Sequence, residues 1–220
     1  MQINKYIDHT LLKPQATEDN IDRLCHEAIE HNFCSVCVNP CHVSRVCNLL
    51  SDRGIKVCSV AGFPLGANNT NTKVSEAVLA ARDGADEIDM VTNIGKIIEG
   101  NFDYIEKEIR AVRSELNDEI ILKVIIETPI VPEDKWPDTV SALINAGADF
   151  VKTATGFQGA TPTGHISKLA AIADNRIEIK ASGGINTIGQ AMDMIRAGAT
   201  RLGCSASVAI MKEYLNAIEK

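Results

Sequence analysis

The stretch "NTNTKVSEAVLAARDGADEIDM" (residues 69–90) contains a complete boundary between a helix and the strand that follows it. Small and apolar residues recur at helical spacing, which predicts a helix that ends at Asp83. Gly84 supplies the left-handed conformation in which many helices end. The run "EIDMV" then predicts a strand at Glu87–Val91. The stretch therefore predicts one unit of an alternating α/β fold.

The same Ala-Gly-Ala turn recurs in "NAGADF" (145–150) and "RAGATR" (196–201). Short apolar runs separated by helical patterns predict eight strands, and repeated βα units imply a parallel sheet. The predicted strands are Tyr6–Thr10, Phe33–Val38, Lys56–Val60, Glu87–Val91, Ile121–Glu127, Asp149–Lys152, Ile177–Ala181 and Arg201–Gly203. Eight such units within 220 residues predict an α/β fold, a single (β/α)8 TIM barrel that forms one domain over residues 1–220.

An open, doubly wound sheet is the alternative architecture. Such a sheet usually carries a glycine-rich dinucleotide turn after its first strand. The corresponding stretch here, "DHTLLKP" (8–14), contains no glycine. The sequence therefore favours the barrel. In its first predicted helix, over residues 17–32, Thr17 is a candidate N-cap and Ile21, Leu24, Ala28 and Ile29 form an apolar stripe.

Composition limits the partners and the setting of the chain. A formal charge of −7 argues against sequence-independent binding of nucleic acid, which needs a basic face. No segment approaches the roughly 20 apolar residues of a membrane span, and the start "MQINKYIDHT" lacks the apolar core of a secretory signal. We therefore expect a cytoplasmic protein with neither a nucleic-acid nor a membrane partner, and we expect its seven cysteines to be thiols.

Residues near the strand ends that share the inward-facing phase are mostly polar. Side chains alternate along a strand, and barrel active sites form at the C-terminal strand ends. The outward neighbours, such as Ile88, Val124 and Val151, are apolar. The inward positions are Asp8, Cys37, Asp89, Lys123, Glu127, Lys152 and Lys180. This alternation predicts a charged reaction chamber inside the barrel.

Lys152 and Lys180 end two neighbouring predicted strands. A free lysine has a pKa of about 10.4 and is a poor nucleophile at neutral pH. A second ammonium nearby and partial burial both lower such a pKa, which activates an amine for Schiff-base chemistry. One lysine would then be the nucleophile and the other its electrostatic partner. In the alternative interpretation, each lysine pairs with an interior carboxylate, for which Glu87, Asp89, Glu127 and Glu178 are available.

The segment "CSVCVNPCHVSRVC" (34–47) suggests a metal site, because C-x-x-C occurs in zinc sites. Residues three apart on a strand point to opposite faces, so Cys34 and Cys37 would diverge rather than converge on one ion. Cys41, His42 and Cys47 follow without a second C-x-x-C later in the chain. The sequence therefore predicts no metal site here.

Seven motifs, one at each of seven strand ends, together resemble the deoxyribose-phosphate aldolase family of class I aldolases. They are "IDHTLLKP" (7–14), "SVCVNP" (35–40), "EIDMV" (87–91), "KVIIET" (123–128), "DFVKTATGF" (149–157), "IKASGGI" (179–185) and "RLGCSAS" (201–207). The resemblance implies that Lys152 forms the Schiff base, that Lys180 perturbs it, and that Asp89 relays protons. It also implies that Asp8 belongs to the same network and that Cys37 lines the site.

The implied reaction is the reversible cleavage of 2-deoxy-D-ribose 5-phosphate into acetaldehyde and D-glyceraldehyde 3-phosphate, a step of nucleoside catabolism. The implied partners are a phosphosugar and small aldehydes. The imine acts as the electron sink, so no metal or other cofactor is implied. Two alternatives stay open: another Schiff-base barrel, transaldolase-like or acting on keto acids, and a catalytically silent sugar-phosphate binder. A homo-oligomer is possible, but the sequence does not define the oligomeric state.

We expect the phosphate group of the substrate to bind at the loops after the last strands, where TIM barrels often bind phosphate. The candidate substrate-binding residues there and beside Lys152 are Thr153, Gly156, Gly183, Gly184, Gly203 and Ser205. Alternatively, the glycines serve only tight turns. Phe157, Asn186 and Ala206 stand where some members of the family carry basic or serine side chains, and each change removes a potential phosphate contact.

Overall fold

The computed structural model describes residues 1–218, and within them eight parallel strands form one closed barrel. Each strand pairs with the next along the chain, and the eighth pairs with the first. The strands are β1 Ile7–Leu11, β2 Ser35–Val38, β3 Lys56–Ala61, β4 Glu87–Val91, β5 Ile121–Ile125, β6 Phe150–Lys152, β7 Glu178–Ser182 and β8 Arg201–Cys204. The predicted (β/α)8 barrel is confirmed.

Helices surround the barrel between and after the strands. They are α1 Glu18–His31, α2 Val43–Leu50, α3 Thr70–Arg82, α4 Ile94–Ile98, α5 Phe102–Arg113, α6 Trp136–Asn145, α7 Thr163–Ala173, α8 Ile188–Arg196 and α9 Ser207–Ile218. Within residues 1–218, none of them combines the length and the apolar character that crossing a membrane requires.

Helix ends follow the local sequence signals. Helix α3 ends at Arg82, and Gly84 adopts a φ of 105° before β4 begins at Glu87. A Cβ at Gly84 would lie 2.7 Å from Cys47 Sγ, so a side chain is excluded there by contact as well as by conformation. At the start of α1, Thr17 and Asn20 form a reciprocal capping box. Both boundaries were predicted from the sequence.

Several predicted strand limits need correction. Tyr6 belongs to a 3-10 turn (Ile3–Tyr6) rather than to β1, and Phe33 precedes β2. The larger difference is at β5, which ends at Ile125 instead of Glu127. Glu127 has a φ of 54°, and this left-handed conformation is incompatible with an extended strand. The carboxylate of Glu127 therefore leaves the barrel phase that simple alternation assigns to it.

The two faces of the barrel wall carry different kinds of side chain. Ile88, Val124 and Val151 are fully buried and belong to the hydrophobic core between strands and helices. The inner face instead carries buried charged groups such as Asp89 and Lys123. The apolar layer outside the barrel thus supplies the hydrophobic stabilisation, and the interior is available for polar groups.

A buried ion pair fixes the end of β4 to the helices. Lys73 Nζ of α3 lies 2.7 Å from Glu108 Oε1 of α5, and neither side chain is exposed. The second carboxylate oxygen of Glu108 accepts hydrogen bonds from Thr92 Oγ1, at 2.9 Å, and from the backbone N–H of Asn93, at 3.0 Å. Thr92 directly follows β4, so Glu108 holds in place the strand that carries Asp89.

We expect Glu108→Ala to lower the free energy of unfolding by about 3–5 kcal/mol, because it leaves the Lys73 ammonium buried without its partner. Glu106→Ala is the matched control on the same helix, since Glu106 pairs with Arg110 at the protein surface. Urea unfolding of both variants measures the difference. Equal losses in the two variants would show that Glu108 does not anchor β4.

Candidate active site

Asp89 on β4 lies at the centre of an ion network inside the barrel. Its Oδ2 accepts hydrogen bonds from Lys152 Nζ and Lys180 Nζ, both at 2.7 Å, and its Oδ1 accepts one from Lys123 Nζ at 2.9 Å. Lys152 is 3% exposed, and the other three side chains are fully buried. Lys152 and Lys180 are register partners on β6 and β7. The two amines predicted to be neighbours therefore meet at one carboxylate oxygen.

A second tier of charges lies below Asp89. Asp8 on β1 forms ion pairs with Lys180 and with Arg201 Nη1, the latter at 2.8 Å. Glu87 lies 2.6 Å from Lys123 Nζ and 3.0 Å from Arg201 Nη1. Asp8 therefore joins Lys180 to Arg201. Glu87 likewise joins Lys123 to Arg201. The lysine–carboxylate pairing that the sequence left as an alternative is present together with the lysine–lysine contact.

The network fixes the charge of several members. Burial alone would lower the pKa of Lys180, but the carboxylates of Asp8 and Asp89 outweigh burial and raise that pKa above its ordinary value. Burial alone would raise the pKa of Asp89, but Lys123, Lys152 and Lys180 hold it well below its ordinary value. Asp89 is therefore a carboxylate and Lys180 an ammonium at neutral pH.

A cavity of about 340 Å³ opens above the network, at the C-terminal ends of the strands. Lys152 is the member of the network that lines it. The other predicted site residues that line the cavity are Gly156, Gly183, Gly184, Gly203 and Ser205. Asp8, Cys37, Asp89 and Lys180 lie beneath, inside the barrel. The site is thus a cavity with one amine at its floor and the charged groups below it.

The loop after β7 requires its two glycines. Gly183 and Gly184 have φ values of 96° and 79°. A Cβ at Gly184 would lie 2.6 Å from Ala160 Cβ, and one at Gly183 would lie 3.1 Å from Gly159 O. The loop is therefore packed against the segment between β6 and α7, which accounts for a tight turn. It also brings backbone, rather than side chains, to the cavity wall.

Thr153 is placed differently from the other predicted substrate-binding residues. It is buried, and its hydroxyl donates to Ser182 O at 3.1 Å while accepting from the Ser182 N–H at 3.0 Å. Thr161 Oγ1 lies 3.2 Å from the same hydroxyl. In this position Thr153 connects the ends of β6 and β7 and lies outside the cavity lining.

Other residues of the site were not assigned from the sequence. Thr155 lines the cavity, and its N–H and hydroxyl donate to Glu127 at 3.1 and 2.7 Å. Burial raises the pKa of Glu127. Arg201 and Lys13 were also overlooked. The sequence signals for them were a basic residue, Arg201, at the start of a buried strand and a lysine, Lys13, within the first strand motif.

The cysteines are free thiols. Cys34 and Cys47 are half-buried, Cys41 is exposed, and Cys37 is fully buried inside the barrel.

Within residues 1–218, one group of side chains has the spacing of metal ligands: Cys37, Cys58 and Asp89, whose ligand atoms lie within 4.8 Å of one another. The oxygens of Asp89 already accept hydrogen bonds from Lys123, Lys152 and Lys180. A divalent cation at this point would face like charges, which disfavours its binding.

The fold and the site together define a (β/α)8-barrel enzyme site built on a buried amine. The chain belongs to the DeoC/LacD family of aldolases, whose family model matches residues 3–212. A deoxyribose-phosphate aldolase of Thermoanaerobacter sp. (strain X514) is 47% identical over 218 residues, which cover 97% of this chain and 97% of that protein. One of Clostridium kluyveri (strain ATCC 8527) is 45% identical over 214 residues, 96% of this chain and 98% of that protein.

Solved structures give the same result. The structure described as "QR15, an Aldolase" has a TM-score of 0.93 and 39% identity, covering 99% of this chain and 97% of that one. The deoxyribose phosphate aldolase from Aeropyrum pernix, described as having a unique tetrameric structure, has a TM-score of 0.88 and 30% identity, covering 98% of this chain and 92% of that one. The resemblance inferred from the seven motifs is confirmed at the level of the family.

We expect the network to make stability fall in acid. The neighbouring cations hold the pKa values of Asp8 and Asp89 below their ordinary value of 3.8, so the unfolded chain binds these protons more readily than the folded one. The stabilisation is complete above pH 3.8 and is lost as the pH falls through the folded-state values.

Asp8→Asn should therefore be least stable relative to the unmodified protein near neutral pH, and this deficit should shrink below about pH 4. Thermal unfolding across the pH range measures it, with the exposed Asp118→Asn as the control. A deficit that stays constant with pH would contradict the ionic role of Asp8.

Proposed function

We propose that the protein is a class I aldolase that reversibly cleaves 2-deoxy-D-ribose 5-phosphate into D-glyceraldehyde 3-phosphate and acetaldehyde, with Lys152 as the Schiff-base lysine. One observation carries the proposal: Lys152 lies at the cavity floor and shares a carboxylate oxygen of Asp89 with Lys180. The substrate is the one named for the relatives from Thermoanaerobacter and Clostridium kluyveri.

The contacts of the network distinguish Lys152 from its other basic groups. The network contains three carboxylates and four buried basic groups, and the exposed Lys56 lies 3.7 Å from Glu87. Three of the basic groups keep their protons, because carboxylates raise the pKa values of Lys123, Lys180 and Arg201 against the opposing effect of burial. Among the carboxylates of residues 1–218, Lys152 pairs with Asp89 alone, and it lies at the cavity floor.

The chemistry follows from an imine at this position. Lys152 Nζ attacks the aldehyde carbon of the open-chain sugar, and water leaves as the protonated imine forms. When the bond between C2 and C3 of the sugar breaks, its electrons form the C1–C2 double bond of an enamine and the C=N electrons return to nitrogen, while the C3 hydroxyl loses its proton and C3 becomes the aldehyde carbon of glyceraldehyde 3-phosphate. Protonation of the enamine carbon and hydrolysis then release acetaldehyde and the free amine.

Asp89 and Lys180 are the groups that we assign to proton transfer. Asp89 Oδ2 is in contact with both amines, so a proton can pass between Lys152 and Lys180 through one oxygen. Asp8 keeps Lys180 charged and in place. Cys37 lies beside this group without a chemical step assigned to it. The imine serves as the electron sink, so the proposal requires no metal and no other cofactor.

We also infer that the enzyme acts in the cytoplasm, in nucleoside catabolism, and as a homo-oligomer. A sugar phosphate carries charges that cross membranes poorly, which supports a setting where such substrates are made. The tetrameric description of the Aeropyrum pernix relative supports self-association.

We expect borohydride reduction in the presence of acetaldehyde to leave one two-carbon adduct, on Lys152, because this is the network amine that an aldehyde in the cavity can reach. Peptide mapping by mass spectrometry locates the adduct, and Lys152→Met should abolish it. Absence of any adduct on the folded protein would favour a silent sugar-phosphate binder. An adduct with pyruvate but not with acetaldehyde would favour an aldolase of keto acids.

We expect Lys180→Met to slow imine formation at neutral pH by about two to three orders of magnitude, because it removes the cation that shares Asp89 Oδ2 with Lys152. A like charge at this range amounts to about 4 kcal/mol. The rate of adduct formation against pH is the measurement, with the exposed Lys107→Met as the control. A full rate at neutral pH would refute the electrostatic role of Lys180.

A further inference from the structure

The cavity contains two charged side chains among its lining residues, and both are lysines. Lys152 lies at the floor, and Lys13 lies at the rim. The remaining lining residues are apolar or uncharged, and none of them is an aspartate or a glutamate. The cavity therefore has lysine amines at two separate points, only one of which the aldol chemistry uses.

Lys13 is positioned by the first strand. Strand β1 ends at Leu11, and Pro14 follows Lys13 directly, which disfavours a helical backbone at the lysine. Strand β1 pairs with β8, so the loop with Lys13 neighbours the loop with Ser205. Both residues line the cavity and also the cleft next to it. Lys13 therefore reaches the cavity from the side where the chain enters α9.

The loops after β6, β7 and β8 carry no cation at this end of the cavity. Phe157 is 54% exposed at its edge, Asn186 lines the wall, and Ala206 follows Ser205. A phosphate group there meets the backbone of Gly183 and Gly184 and the hydroxyl of Ser205, which are all uncharged. A phosphate monoester carries up to two negative charges, so these donors leave its charge unbalanced.

We propose that Lys13 is the cation that binds the substrate phosphate. The lysine is exposed and takes part in none of the ion pairs formed by residues 1–218, so its ammonium is available for a ligand. A lysine ammonium acts as a compact point charge with three donors, and phosphate sites often use one. This inference rests on the proposed function for the identity of the substrate, but not for the presence of an anion site.

The test compares Lys13→Met with Lys13→Arg, and it uses Lys107→Met as an exposed-lysine control. Calorimetric titration with inorganic phosphate measures the anion site directly. Steady-state kinetics with 2-deoxyribose 5-phosphate and with unphosphorylated 2-deoxyribose measure its effect on turnover. Reduction with borohydride and acetaldehyde measures the chemistry at Lys152 without any phosphate.

We expect Lys13→Met to weaken phosphate binding and to raise KM for the phosphorylated sugar by about tenfold or more, as expected from loss of a charge-assisted contact. Turnover of unphosphorylated deoxyribose and the yield of the acetaldehyde adduct should change much less than KM for the phosphorylated sugar, because neither involves a phosphate. Lys13→Arg should retain most of the phosphate affinity. These effects should diminish at high salt, because the contact is exposed.

Unchanged phosphate affinity in Lys13→Met would overturn the inference, as would failure of the unmodified protein to bind phosphate. An equal loss with both sugars would also overturn it, because it would show a structural role. If the unmodified protein forms no acetaldehyde adduct, the proposed function fails, and the phosphate titration still decides the role of Lys13. The two proposals are therefore separable.

Discussion

The carboxylate of Asp89, which accepts hydrogen bonds from three lysine side chains, is the interaction on which the interior of the barrel depends. A buried lysine is tolerated only when it is paired, and Lys123, Lys152 and Lys180 share this partner. The dependence is mutual, because the same cations keep Asp89 ionised in a place that water does not reach. Removing one side of such a cluster leaves uncompensated buried charge, so its members stabilise the fold only as a set.

The three lysines differ in how many carboxylates hold them. Lys123 contacts Glu87 and Asp89, and Lys180 contacts Asp8 and Asp89. Lys152 contacts Asp89 alone among the carboxylates of residues 1–218, and it is the one that faces the cavity. The amine with the fewest partners is therefore also the accessible one. In the proposed function, this asymmetry separates the lysine that is assigned as the nucleophile from Lys123 and Lys180.

Local signals in the sequence were sufficient for the barrel and for the phase of its inner face. Gly84 marks a helix end because few other residues adopt its backbone conformation. Strand alternation placed Asp89 and Lys123 inside, because neighbouring parallel strands keep a common register. Lys152 and Lys180 are adjacent for the same reason.

The rest of the site depends on contacts that alternation along single strands does not contain. The ion pair between Asp8 and Arg201 joins residues 193 positions apart and exists because β8 closes on β1. Glu127 leaves the barrel phase through one left-handed residue, and the hydroxyl of Thr153 turns to Ser182 rather than to the cavity. Side-chain pairing across a closed barrel is a property of the whole sheet, and no single motif determines it.

The distance between the two ends of the cavity has an electrostatic consequence for the proposed chemistry. A dianion bound next to Lys152 would lie close to the carboxylate of Asp89, which repels it. Backbone donors at Gly183 and Gly184, together with an exposed Lys13, would hold the phosphate at the rim, where water screens its charge. A cation fixed more deeply would bind phosphate more tightly but would also disturb the balance around Asp89. A rim lysine therefore lets substrate affinity change while the phosphate charge stays away from the buried network around Asp89.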